Sequence, residues 1–114
     1  MGNEHANMPY PNWAANQENC DNGPYQGIST GERFCPQHCD MVLREHIWFW
    51  QPDPPPITNI SKMISMYLTS IGRGCNLILD MAPNNTGLLL QDDIKQYQLF
   101  GAMNKHSSHE PKNE

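Results

Sequence analysis

The chain has 114 residues, which is enough for one small domain with a buried core. Seven Lys and Arg residues against twelve Asp and Glu residues give a formal net charge of −5. Basic residues form no cluster, which excludes a phosphate-binding surface for nucleic acid. No run of about 18 apolar residues occurs, so no membrane-spanning helix is predicted, and we expect neither nucleic acid nor membrane as partner.

Residues 1–34 are polar and rich in turn-forming residues, a pattern typical of long loops. Compact domains rarely contain such loops unless the loops are functional. We therefore predict that this segment forms the wall of a site. The N-terminus lacks the basic start and apolar core of a signal peptide.

The four cysteines are either free or bridge neighbouring loops, and their pairing does not follow from the sequence. An alternative is a zinc site built from Cys35, His38 and Cys39. Structural zinc usually requires a second pair of closely spaced ligands, which is missing here. We therefore expect no metal.

Residues 34–43 alternate in the manner of a strand, with Cys39 and Met41 on one face and Asp40 on the other. Arg44 and Asp40 could form an ion pair. The next segment, HIWFWQ, is predicted to be a second short extended piece.

In an extended HIWFWQ segment, Trp48 and Trp50 would share one face and Phe49 would occupy the other. Aromatic residues at strand spacing usually pack in a sheet, and we favour packing for Phe49. The two tryptophans could equally well pack or line a binding site.

A helix is predicted after Thr58 or Asn59, either of which can cap it. It ends at Gly72 and Gly74, and Arg73 is expected to bind carbonyls at its C-terminal end. Apolar residues at helical spacing form one stripe: Ile60, Met63, Ile64, Tyr67, Leu68 and Ile71.

Residues 76–81 are apolar at both alternating positions, which indicates a strand covered on both faces, as in parallel sheets. Asp80 ends this strand, where it could cap the following loop or belong to a site. A last helix is predicted to begin near Gln91–Asp92 and to be followed by a polar tail from Asn104. Its inward residues would be Ile94, Tyr97, Phe100 and Met103.

Two or three strands are too few to close a sheet, and a strand covered on both faces needs neighbours. We therefore interpret the chain as α/β and as part of a larger parallel sheet, most economically a barrel. In such sheets the chemistry lies in the loops that leave the carboxyl ends of the strands.

Three stretches occur in an order that resembles a known family: GNEHANMPYPNW, RFCPQHCDMVLREHIWFWQPD and YLTSIGRGCNLILDMAPNNTGLL. Together they resemble the C-terminal part of the catalytic barrel of α-L-fucosidases, glycoside hydrolase family 29, over residues 2–103. The resemblance implies the C-terminal portion of a (β/α)8 (TIM-type) barrel, incomplete in this chain. Residues 1–34 would be active-site loops, residues 35–103 the last strands and helices, and residues 104–114 a polar tail.

The resemblance implies hydrolysis of terminal α-L-fucose from fucosylated glycans with retention, without a cofactor. Glu4 matches the family's general acid/base, whereas the nucleophilic aspartate would lie upstream of Met1. We therefore expect this chain to be a fragment that lacks the nucleophile and is inactive alone. From the residues alone, Glu4 could also be a solvated loop charge, although Met8, Tyr10 and Trp13 could form an apolar wall that raises its pKa.

Further substrate contacts are expected from Trp48 and Trp50, as a platform for fucose, and from His5, His38 and Asp80. Each histidine could instead face solvent. The sequence departs from the family pattern at His38, where a glutamate is usual, at Asp80, where an asparagine is usual, and at REHIW, residues 44–48, in place of RPGW. These departures allow a non-catalytic fucose- or glycan-binding module as the alternative function. A structural zinc or disulfide domain is the third hypothesis.

Two Asn-x-Ser/Thr triplets make Asn59 and Asn84 possible glycosylation sites. They suggest a secreted or lysosomal full-length protein.

Overall fold

The computed structural model describes residues 2–17, 19–20 and 25–107. The described chain mixes short strands with two α-helices. The elements in order are β1 (Gly2–Asn3), β2 (Ala15–Asn16), β3 (Arg33–Phe34), β4 (His38–Val42), α1 (Ile60–Ser70), a 3-10 turn (Ile71–Arg73), β5 (Asn76–Asp80) and α2 (Gln91–Ser107). In the described segments no helix combines the length and apolar character needed to cross a membrane.

The chain divides into two compact units. The first comprises Met1–Met41 and Ser65–Asp80, and the second comprises Val42–Ile64 and Met81–Glu114.

A three-stranded sheet with the order β1-β4-β5 organises the first unit. β1 runs parallel to β4, with Gly2 opposite His38 and Asn3 opposite Cys39. The connection from β4 through α1 to β5 is the helical crossover that joins parallel strands. This arrangement places the carboxyl ends of the strands at one edge of the sheet.

The two faces of this sheet differ in their cover. A disulfide links Cys39 of β4 to Cys75, directly before β5, and both are at most 3% exposed. Since side chains alternate along a strand, Met41, at 2% exposure, shares this covered face. The alternation predicted for residues 34–43 is therefore confirmed over β4, whereas Phe34 belongs to β3 and residues 35–37 are not in a strand.

The opposite face carries His38 and Asp40 from β4 and Ile78 and Asp80 from β5. Ile78 is 52% exposed, so the expectation that β5 is covered on both faces is wrong within this chain. The strand has apolar residues on both faces, but the described residues cover only one of them. We call the second one the open face.

A small antiparallel hairpin of β2 and β3 pairs Ala15 with Phe34 and lies inside the segment predicted as loops. The segment that connects the two strands folds back on β2, where Ile28 N donates a hydrogen bond to Ala15 O. Gly27 passes so close to it, with φ of +74°, that a Cβ would lie 2.6 Å from Ala15 O, which only glycine permits. A second disulfide joins Cys20 to Cys35.

Helix α1 begins as predicted. The Asn59 side-chain Oδ1 accepts a hydrogen bond from Lys62 N at 2.8 Å, which is the N-cap interaction. Met63 is fully buried, whereas Leu68 is 59% exposed, so the described chain buries only part of the predicted stripe. The helix tightens into the 3-10 turn and ends at Gly74, whose φ is +81°.

The segment HIWFWQ in the second unit is not a strand, and that prediction is wrong. Ile47 N donates to Arg44 O and His46 adopts a φ of +63°, so the backbone turns where it was expected to be extended. Phe49 is 84% exposed and does not pack as predicted. Because this segment is not a strand, the expectation that Trp48 and Trp50 share one face no longer follows.

Helix α2 has acidic Asp92 and Asp93 in its first turn, where the helix dipole favours them. Phe100 is buried as predicted, but Tyr97 is 47% exposed and Met103 is 38% exposed. The helix continues to Ser107, past Asn104 where the polar tail was expected to start. Residues 108–114 of that tail lie outside the described residues.

Arg44 pairs with Asp93 and not with Asp40. Arg44 Nη2 lies 2.8 Å from Asp93 Oδ1, and the two side chains are 15% and 4% exposed. Arg44 Nη1 also donates to Pro55 O at 2.6 Å. The ion pair predicted from spacing along β4 is therefore wrong, because the arginine reaches an acid from α2.

Candidate active site at the carboxyl end of the sheet

Glu4 directly follows β1, at the edge where the parallel strands end. Asp80 is the last residue of β5. Parallel α/β sheets concentrate their chemistry at this edge, because the loops leaving the strands converge there. The predicted residues Glu4 and Asp80 are therefore both at the carboxyl ends of their strands.

Two carboxylates on the open face have acceptor atoms without a donor. Asp40 Oδ1 and Asp80 Oδ2 are buried and have no hydrogen-bond partner in the described structure. Burial raises the pKa of the Asp80 carboxyl above its usual range. Since a buried acceptor without a partner is costly, both oxygens favour a donor such as a ligand hydroxyl. Oδ2 of Asp80 therefore does not cap the loop that follows β5, which was one of the two roles considered for this residue.

The apolar wall expected around Glu4 is not continuous. Met8 is fully buried, whereas Tyr10 is 84% exposed and Trp13 is 50% exposed. Glu4 and the adjacent His5 are both exposed. The three apolar residues therefore do not form one enclosure.

The loop after Glu4 is fixed to the C-terminal end of α1. Thr69 Oγ1 donates to Ala6 O at 2.8 Å, and Met8 N donates to Thr69 O at 2.9 Å. Arg73 Nη1 donates to Met8 O at 2.5 Å and to Asn7 Oδ1 at 3.1 Å. Arg73 therefore holds this loop, and the expectation that it binds carbonyls at the helix end is wrong.

His38 is exposed on the open face, in line with Asp40 along β4. Trp48 and Trp50 belong to the second unit; Trp48 is 38% exposed and Trp50 is half-buried. The sheet thus places His38, Asp40 and Asp80 on its open face, with His38 at the start of β4 and Asp80 at the end of β5. The sequence interpretation gave Asp40 mainly an ion-pair role, although its alternation with Cys39 and Met41 already placed it on the face of His38.

The zinc alternative is wrong, because the sulfur atoms it requires are used elsewhere. Cys35 is bonded to Cys20 and Cys39 is bonded to Cys75. Within the described ranges no group of three or more His, Cys, Asp or Glu side chains could hold a metal ion.

The two possible glycosylation sites lie in different settings. Asn59 is exposed and caps α1. Asn84 Oδ1 accepts hydrogen bonds from Thr86 N, Thr86 Oγ1 and Leu88 N at 2.7–3.0 Å. Glycosylation of either residue stays a prediction.

Comparison with curated proteins finds similarity to α-L-fucosidases. The chain is 32% identical to alpha-L-fucosidase 1 of Arabidopsis thaliana over 78 residues, which are 68% of this chain. A second curated relative, from Oryza sativa subsp. japonica, is 36% identical over 74 residues. The chain spans only 15% and 14% of the lengths of these relatives. No protein-family model matches the sequence.

Solved structures share the fold. A Ruminococcus gnavus GH29 fucosidase in complex with fucose superposes with a TM-score of 0.81 at 22% identity, covering 93% of this chain and 23% of that one. A glycoside hydrolase 29 family member from an unknown rumen bacterium gives 0.76 at 21% identity, covering 88% and 19%. The resemblance indicated by the three sequence motifs is confirmed. The chain is similar to α-L-fucosidases over 68% of its length and spans only a small part of its relatives' length.

Proposed function

We propose that this chain is part of a retaining α-L-fucosidase that removes terminal α-L-fucose from glycoconjugates. The observation that carries the proposal is the position of Glu4, within the motif GNE, directly after β1 at the carboxyl edge of a parallel sheet. The similarity to alpha-L-fucosidase 1 of Arabidopsis thaliana supports it.

Retaining hydrolysis needs a nucleophile and an acid/base on either side of the glycosidic bond. Glu4 protonates the oxygen of the leaving sugar in the first step, in which the nucleophile forms a glycosyl-enzyme. Glu4 then removes a proton from the water that hydrolyses this intermediate. By the family resemblance, the nucleophile is proposed to be an aspartate on another strand of the whole protein.

In the whole protein, β1, β4 and β5 are proposed to be the last strands of a (β/α)8 barrel, with the open face toward the barrel interior. The exposure of Ile78 and the unpartnered oxygens of Asp40 and Asp80 support this orientation. The two oxygens are proposed to accept hydrogen bonds from hydroxyls of the sugar. The sugar contacts of His5, His38, Trp48 and Trp50 stay predictions.

A secreted or lysosomal location is proposed for the whole protein. The disulfides Cys20–Cys35 and Cys39–Cys75 support it, because disulfides persist mainly in oxidising compartments. The glycosylation triplets at Asn59 and Asn84 are consistent with it.

The test replaces the matching segment of the Arabidopsis thaliana relative by this chain and measures hydrolysis of 4-nitrophenyl α-L-fucoside and 2′-fucosyllactose. We expect turnover by the chimera and a loss of about 100-fold or more in Glu4→Gln. The loss should be larger for 2′-fucosyllactose, because its leaving sugar needs protonation more than 4-nitrophenol does. Azide, which attacks the intermediate without a base, should restore part of the activity and yield fucosyl azide.

Glu32→Gln, a change at an exposed glutamate of the same unit, is the matched control and should keep full activity. An active chimera whose Glu4→Gln variant is unimpaired would remove Glu4 from the mechanism. Turnover by the isolated chain would place a nucleophile within it, with Asp40 or Asp80 as candidates. A folded, inactive chimera that still binds fucose would favour the binding module.

A further inference from the structure

Two aromatic side chains project from the loop that follows Glu4. Tyr10 is 84% exposed and Trp13 is 50% exposed. Both lie within ten residues of Glu4 along the same loop, which leaves the sheet at its carboxyl edge. We call Tyr10 and Trp13 the aromatic shelf.

The backbone beneath the aromatic shelf is held on one side by Arg73, in the 3-10 turn that follows α1. Asn12 Nδ2 donates to Arg73 O at 2.8 Å, next to the bonds from the Arg73 side chain to Asn7 and Met8. Asn12 Oδ1 accepts a hydrogen bond from Ala14 N at 3.3 Å. Asn12, which directly precedes Trp13, is therefore fixed by hydrogen bonds of its own side chain.

On its other side the loop is held by the hairpin segment. Trp13 N donates to Gln26 O at 2.8 Å and Cys35 N donates to Ala14 O at 2.7 Å. Cys35 is itself fixed by its disulfide to Cys20. The backbone that carries the two exposed rings is thus held by hydrogen bonds on both sides. This lowers the conformational entropy that is lost when a ligand binds and orders the rings.

Exposed aromatic rings on a fixed backbone suit a sugar ring. A pyranose has an apolar face of C–H groups that packs on an aromatic ring, while its hydroxyls stay in water. The shelf offers rings without enclosure, so it fits a sugar unit that remains partly solvated. A terminal fucose, which a glycosidase encloses, is a poorer match for it than the sugar that carries the fucose.

We propose that the aromatic shelf binds the sugar unit to which the fucose is attached and thereby sets which fucosylated glycans are accepted. The inference rests on the proposed function, since it places the leaving sugar of that reaction. Its basis is continuity: the shelf and Glu4, which would protonate the bond to that sugar, occupy one loop. Tyr10 and Trp13 are specificity residues here and take no part in bond cleavage.

The test compares two substrates in the chimera of this chain with the Arabidopsis thaliana relative. In Trp13→Ala, kcat/KM for 2′-fucosyllactose should fall about tenfold through a rise in KM, whereas kcat/KM for methyl α-L-fucoside, which has no sugar on the leaving side, should stay within about twofold. Trp13→Phe should retain most of the 2′-fucosyllactose activity. Phe34→Ala removes a ring that is 77% exposed in the same unit and should change neither substrate.

A second measurement does not depend on cleavage. Lactose, the unfucosylated portion of 2′-fucosyllactose, is titrated into the 114-residue chain and binding is followed by saturation-transfer NMR. We expect signals from lactose protons that weaken strongly in Trp13→Ala and persist in Glu4→Gln. Circular dichroism of each variant verifies folding.

The outcomes separate the two proposals. Lactose binding by the 114-residue chain that depends on Trp13, together with a folded chimera that lacks fucosidase activity, supports the shelf and rejects the proposed function. An active chimera in which Trp13→Ala affects both substrates equally, or neither, overturns the shelf and leaves the proposed function standing. Lactose binding that is absent, or unchanged in Trp13→Ala, also overturns the shelf.

Discussion

The two faces of the three-stranded sheet are built from the same strands but differ in burial and in hydrogen bonding. On the covered face, Cys39, Met41 and Cys75 are each at most 3% exposed. On the open face, Ile78 is 52% exposed and Asp40 and Asp80 carry buried oxygens without donors. The covered face is complete within the chain, whereas the open face holds apolar surface and acceptors that need partners from elsewhere. The difference indicates that the covered face contributes to the stability of the chain, whereas the open face leaves apolar surface and acceptors without partners among the described residues.

The strongest way to break the covered face is to remove its disulfide. The double change Cys39→Ala and Cys75→Ala opens a loop with a sequence separation of 36 and should lower the free energy of unfolding by about 3–4 kcal/mol. Urea unfolding followed by circular dichroism measures it. A reductant should lower the stability of the parent chain but have a smaller effect on the double variant. A loss under about 1 kcal/mol would show that the face is held by packing alone.

Matched truncations on the two faces sharpen the comparison. Met41→Ala should cost about 3 kcal/mol, since it leaves a cavity at a site that is 2% exposed. Ile78→Ala should cost less than about 1 kcal/mol, because its side chain is already half in water. Thermal unfolding of both variants measures the two losses of stability, and their ratio compares the two faces. Equal losses would mean that the open face is covered in solution.

The same contrast between closed and open surroundings can be tested on the ion pairs of the second unit. Arg44→Met leaves Asp93, 3% exposed, without its partner and should cost about 2 kcal/mol. Lys62→Met removes an ion pair with Glu45 whose side chains are 45% and 53% exposed and should cost about 0.5 kcal/mol or less. Urea midpoints at low and high salt measure both. Little difference between the variants would contradict the burial of the Arg44–Asp93 pair.

A small effect is expected at Asp80, where burial raises the pKa of the carboxyl above its ordinary value of 3.8. The folded chain then retains the proton to higher pH than the unfolded chain, so stability falls as pH rises through the folded pKa. Asp80→Asn should stabilise the chain by less than about 1 kcal/mol near neutral pH. The gain should vanish below the ordinary pKa, where both states are protonated. A gain that is independent of pH would assign the effect to packing.

Much of the fold followed from local pattern. The alternation around Cys39 and the cap at Asn59 were predicted because each depends on neighbours within a few residues. HIWFWQ was predicted wrongly, since the preference of aromatic residues for strands depends on a partner strand and a packing surface. Arg44 was expected to pair with Asp40 because both were assigned to one strand, whereas its partner Asp93 is 49 residues away.

The site was accessible to sequence reasoning only in part. The acid/base role of Glu4 was predicted from motif resemblance, because a glutamate in a polar loop carries no signal of its own. Its position directly after β1 came only from the structure. The unpartnered oxygens of Asp40 and Asp80 are a matter of burial in the folded chain, which the local sequence does not show. The bracing of the loop by Arg73 spans more than sixty positions, and no local pattern predicts it.

The order of the two disulfides along the chain has a consequence for biosynthesis. Cys20 pairs with Cys35, and Cys39 pairs with Cys75, so the first bridge closes before the second begins. The other possible pairings would interlace the loops or nest one inside the other. A chain that emerges from its N-terminal end presents Cys20 and Cys35 to an oxidant while Cys39 still lacks its partner. Native pairing can therefore follow the order of synthesis, without reshuffling of bonds.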